Sequence, residues 1–94
     1  MPTCGFTTTS DDGRVRVNVL TFEDGDETGD HVHEFDYVVV PITGGTFLVL
    51  EADGSTRELA QEAGAPYLGR AGTEHNVINR SGRMAIFVEV ELKS

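Results

Sequence analysis

Apolar and polar residues alternate with period two over much of the chain, which predicts strands rather than helices. From Arg14 to Phe22, Val15, Val17 and Val19 fall on one face, with Arg14, Arg16 and Asn18 on the other. The pattern is clearer from Met84 to Leu92. There Met84, Ile86, Val88, Val90 and Leu92 share a face, and Glu89 and Glu91 point away from it. Both segments predict half-buried strands. Tyr37–Val40 and Thr46–Leu50 are runs of β-branched and aromatic residues without strict alternation, which predicts fuller burial. Pro41 ends the first run, because it brings no donor to a ladder. Ser55–Ala60 follows an Asp53-Gly54 turn and predicts the return strand of a hairpin. Glu74–Asn79 is a further strand-like segment, with His75, Val77 and Asn79 on one face. Leu59–Gly64 is the only helix-friendly stretch, and it is too short to stand alone in water.

Glycines at 13, 25, 44, 54, 64, 72 and 82 punctuate these segments, most of them inside turn-type clusters such as Asn79-Arg80-Ser81-Gly82. Short strands with turn signals about every 8–12 residues predict an all-β sandwich or barrel. The 94 residues suffice for one domain with one core.

Composition narrows the classes of function. The net charge is −9 and the seven Lys and Arg are scattered, which argues against a nucleic-acid partner, since phosphate neutralisation needs clustered positive charge. No run approaches the ~20 apolar residues of a membrane span. The start, Met-Pro-Thr-Cys-Gly-Phe, has no basic or apolar export signature, so a cytoplasmic location is expected. Cys4 is the only cysteine and reads as an inert thiol near a frayed terminus. Asp24, Asp26, Thr28 and Gly29 match early positions of a calcium loop. The twelfth position is Phe35 rather than a bidentate glutamate, so the stretch reads as a solvated acidic loop.

The three histidines are the chemically informative residues. His31 and His33 are two apart, so on a strand they point to one face, about 6.5–7 Å apart at Cα. Two imidazoles placed this way can converge on one cation, with metal–nitrogen bonds of about 2.0–2.1 Å. In a closed barrel the inward face of a distant strand meets them, and His75 lies on such a strand.

The spacing around these histidines resembles the two motifs of the cupin family. Gly25, five residues, then His31-Val32-His33 reproduces the opening of the first motif, which closes at Gly44 or Gly45. Gly64, five residues, Arg70-x-Gly72, two residues, His75, three residues, Asn79 resembles the second, with Arg70 in place of its proline. The resemblance covers Gly25 to Asn79. It implies a double-stranded β-helix (jelly-roll) barrel with one divalent metal ion (Fe, Ni, Mn, Cu or Zn) near its mouth, held by His31, His33 and His75. Cupins generally add a glutamate after three or four further residues; here those positions are Tyr37 and Val38, which leaves the fourth ligand to Asp36, to Tyr37 or to water. Tyr37 and Tyr67 are also candidate hydrogen-bond donors or general acids and bases, with packing at the rim as their structural alternative. Arg70 is a candidate clamp for a substrate carboxylate or phosphate, or else a solvent-facing ion-pair partner. Asn79 reads as the holder of a turn.

The resemblance implies dioxygenase, isomerase, epimerase or lyase chemistry on a small polar molecule. A non-catalytic small-molecule or metal-sensing module, and a barrel whose histidines hold no metal, are the alternatives, because one fold hosts many functions. Small cupins commonly pair, so a homodimer without membrane partners is expected.

Overall fold

The alternating segments fold as strands, and every ladder between them is antiparallel. The computed structural model describes residues 3–94. Its strands are β1 (Gly5–Asp11), β2 (Val15–Phe22), β3 (His31–Val32), β4 (Asp36–Pro41), β5 (Gly45–Glu51), β6 (Thr56–Gln61), β7 (Tyr67–Gly69), β8 (Glu74–Asn79) and β9 (Ala85–Leu92). A five-stranded sheet runs β1-β2-β9-β4-β7 and faces a four-stranded sheet, β3-β8-β5-β6. Together they form a jelly-roll, double-stranded β-helix. No helix is long and apolar enough to cross a membrane. The helix-friendly stretch at Leu59 ends β6 and then turns at Gly64, so hairpin pairing with β5 overrides a weak local preference.

One end of the space between the sheets is dry. Phe22 from β2, Phe47 from β5 and Phe87 from β9 form a cluster with centroids 5.3, 5.3 and 5.7 Å apart. Two of the three contacts are edge-to-face, an arrangement favoured by the ring quadrupole. Val39, Val49 and Ala85 complete the packing. Asn79 closes this end as its position suggests. Its side-chain amide donates to the carbonyls of Arg83 at 2.7 Å and Glu23 at 3.2 Å, and its Oδ1 accepts from the Ser81 N–H at 3.0 Å.

The alternation in β2 and β9 holds, but the apolar face lies on the outside. Along β9 the inward side chains are Ala85, Phe87, Glu89 and Glu91, whereas Ile86, Val88 and Val90 are half-buried outside and Leu92 is exposed. Along β2 the inward residues are Asn18, Leu20 and Phe22, and Val15, Val17 and Val19 face out. Period two defines two faces without saying which is covered. Here the inward face passes from rings to carboxylates because one end of the barrel is filled and the other encloses a polar cavity.

Two further expectations change. Cys4 is buried in the core, its N–H donating to the Glu27 carbonyl at 2.9 Å, and burial pushes its thiol up to about 11. The thiol is inert because it is desolvated, and its segment is pinned. The acidic stretch is also anchored: the N–H groups of Gly25 and Thr28 donate to Asn79 and Val77, and buried Asp26 accepts from the Glu23 N–H at 2.9 Å. β1 was not evident from alternation; its signal was the β-branched run Thr7-Thr8-Thr9.

Candidate metal centre

β3 and β8 pair with His31 directly opposite His75. Cross-strand partners hold their Cβ atoms about 4.5–5.5 Å apart, so ladder register alone sets two of the three rings side by side. His33 follows β3, and its backbone is clamped to the turn before β8. Its N–H donates to the Thr73 carbonyl at 2.9 Å, and its own carbonyl accepts from the Gly72 N–H at 2.7 Å. That clamp brings the third ring in.

The Nε2 atoms of His31 and His33 are 3.0 Å apart, and those of His33 and His75 are 3.1 Å apart. Three nitrogens about 2.1 Å from a common ion, at right to tetrahedral angles, would lie about 3.0–3.4 Å apart. Both of these separations fit that requirement, and with ligand atoms that all lie within 4.8 Å of one another the three histidines form a candidate metal site. Protonation fits as well. His31 Nδ1 lies 2.9 Å from the Gly29 carbonyl, which can only accept, so Nδ1 carries the proton and Nε2 presents a bare lone pair. Burial, reinforced by the neighbouring histidines, lowers both His33 and His75 to about 4. Both rings are therefore neutral, the ligating form, at neutral pH. Nδ1 of His75 is buried without a partner.

Tyr37 is brought to this cluster. Its ring stacks on His33 with centroids 3.9 Å apart and an interplanar angle of 21°, and burial raises its phenol. Gly69 faces it across the β4–β7 ladder, where a Cβ would fall 2.0 Å from Cζ of the ring. Glycine at 69 therefore makes room for the tyrosine that backs a candidate ligand.

Asp36 is not brought in. It opens β4 with the opposite parity to inward Tyr37, and its carboxylate is engaged elsewhere. Oδ1 accepts from the Ala71 N–H at 2.8 Å, and Oδ2 lies 3.8 Å from an Arg70 nitrogen. Arg70 lines the cavity mouth, with 73% of its side chain exposed.

The cavity beside the histidines has a volume of about 360 Å³. Tyr67 lines it as the sequence suggests, but sequence reasoning missed Arg57, Gln61 and Glu89. Glu89 was read as pointing away from the apolar face, which is true, but that direction is the interior. Its carboxyl is pushed up to about 7, chiefly by burial and then by the charge of Glu91. Glu91 itself accepts from the Asn18 amide at 2.8 Å and from Arg16 at 3.2 Å. The available signal was two glutamates at period two opposite Asn18 and Arg16, in a strand whose other inward residues are core.

The comparisons agree with this architecture. No protein-family model matches the chain. Beta-alanine degradation protein BauB of Pseudomonas aeruginosa is 48% identical over 83 residues, covering 88% of this chain and 86% of that protein. The crystal structure of a cupin domain from Bordetella pertussis superposes with a TM-score of 0.94 at 41% identity, covering 99% of this chain and 96% of that one. A double-stranded β-helix protein from Klebsiella pneumoniae shares the fold, with a TM-score of 0.79 at 22% identity over 97% of this chain and 77% of its own. The chain belongs to the cupin family.

Proposed function

We propose that this chain is a mononuclear metalloenzyme in which His31, His33 and His75 hold one divalent ion of the Fe, Ni, Mn, Cu or Zn group. Its substrate is a small polar molecule of the kind met in the breakdown of short amino acids. The observation that carries the reading is the convergence of three imidazoles on a cavity wall, with the His33 Nε2 3.0 and 3.1 Å from those of His31 and His75. The 48% identity to a β-alanine degradation protein supports the metabolic setting. A metal bound there would supply Lewis-acid polarisation or oxygen chemistry through its open positions. The chain's own part is to keep His33 and His75 neutral, to hold His33 against the Tyr37 ring and to enclose the substrate. Tyr37 stays a neutral phenol, able to donate a hydrogen bond but not to act as a resident base.

Metal analysis of protein from supplemented cells tests the site, with His33→Ala as control. Turnover of short amino, oxo and hydroxy acids by the loaded protein then tests catalysis. Metal binding without turnover of any such acid would favour a binding or sensing module, a reading supported by the absence of a carboxylate from the histidine cluster.

The reading includes a second copy of the chain seated on the outer face of the five-stranded sheet. Two chains of charge −9 repel, and the centre of that face (Val17, Val19, Val38, Val40, Val88 and Val90) carries no ionisable group. Light scattering should return twice the chain mass, and Val88→Arg should return a single chain.

A further inference from the structure

The cavity is electrically two-sided once its histidine wall holds a divalent ion. His31, His33, His75 and Arg57 line it from the four-stranded sheet and its β3 turn; Glu51, opposite His75 in the ladder, and its partner Arg57 act on the charge state of His75 in opposite directions. The facing sheet contributes Glu89. Glu89 is 8% exposed and lines both this cavity and a second one of about 380 Å³ that shares His31 and His33 with it. The cations are committed elsewhere: Arg16 bonds Glu91 and Asp11, Lys93 bonds Asp11, Arg70 lies by Asp36, and Arg57 bonds Glu51 through its Nε, which leaves its two terminal nitrogens for a ligand. Among the described residues Glu89 has no ion-pair partner. A buried carboxylate without a cation is costly, and it is relieved either by taking up a proton or by a bound molecule that brings a cation.

We infer that Glu89 is a substrate-binding residue and that the cavity takes a short amino acid, its ammonium group against Glu89 and its carboxylate toward the histidine cluster and Arg57. The inference rests on the proposed function for the role of the histidine wall, and it adds the class of substrate. The two charges of such a molecule match two walls of opposite character. A plain carboxylic acid would satisfy only one wall and leave Glu89 unpaired.

The test is calorimetric titration of the metal-loaded protein with β-alanine and with propionate, which differ only by the amine, at pH 8. The wild-type chain should bind β-alanine at least tenfold more tightly than propionate, and Glu89→Gln should abolish that preference while leaving propionate binding within about threefold. Equal affinities in the wild type, a preference that survives Glu89→Gln, or no binding of either acid would overturn the inference. A measurement on the unaltered chain guards against a misfolded variant: the Glu89 side-chain carboxyl carbon resonance should move with β-alanine and stay in place with propionate. Movement with both acids, or with neither, counts against the proposal. Cobalt(II) titration followed by absorbance reports on the histidines separately. Loss of cobalt binding with the amine preference intact would sink the metalloenzyme reading alone.

Discussion

The two ends of the barrel interior are built by the same strands and differ in almost every physical respect. Reading along β9, the inward residues are Ala85 and Phe87 at one end and Glu89 and Glu91 at the other. β8 passes from Asn79 and Val77 to His75, and β2 from Phe22 and Leu20 to Asn18. One end is a dry aromatic cluster. The other holds three imidazoles, two of them kept neutral by burial, a poorly solvated carboxylate and a cavity. The contrast shows that inward direction and apolar character are separate properties in a barrel that binds something. The dry end supplies stability, and that margin lets the other end carry groups that fold alone does not favour.

Several changes would break or sharpen this contrast. Phe47→Ala should have the largest effect. The ring is fully buried between two other phenylalanines, so its loss should cost about 3–5 kcal/mol in denaturant unfolding. A loss below ~1 kcal/mol would show that the dry end is not the source of stability.

His33→Ala is expected to act on binding. With metal at about a hundredfold excess over its dissociation constant, the wild-type chain should gain about 2.7 kcal/mol of stability, and the variant should gain little. Equal metal-induced shifts in melting temperature would remove His33 from the site.

Glu89→Gln should stabilise the metal-free protein at pH 8 and leave it nearly unchanged at pH 4. The sign follows from linkage. Glu89 has its folded value raised from 4.5 to about 7, so its contribution is fully present below 4.5 and lost as pH rises through 7. The depressed histidines run the opposite way: stability present above 6.5 is lost as pH falls toward 4. Comparing variant with wild type cancels the histidine part, because both chains keep it. A gain at pH 4 equal to that at pH 8 would contradict the assigned burial of Glu89.

Arg70→Ala should change stability by less than ~1 kcal/mol, since its contact with Asp36 is long and solvated. A larger loss in thermal unfolding would mean that the mouth is more tightly built than its exposure suggests.

The sequence by itself determined β2, β4, β5, β6, β8 and β9, because period two, β-branched runs and turn glycines act locally, whereas β7 carries no such pattern and β1 only its threonine run. It also marked the three histidines, because His-x-His on one strand and a third histidine on another leave few other arrangements in an all-β shell. Tertiary structure alone decided which face of β2 and β9 is inside. Both faces carry apolar residues, and only the opposing sheet selects between them. It also left Asp36 on the outward face that plain strand parity gives it, and it decided the burial of Glu89. That burial depends on what lies across the barrel, and alternation within a single strand carries no information about it.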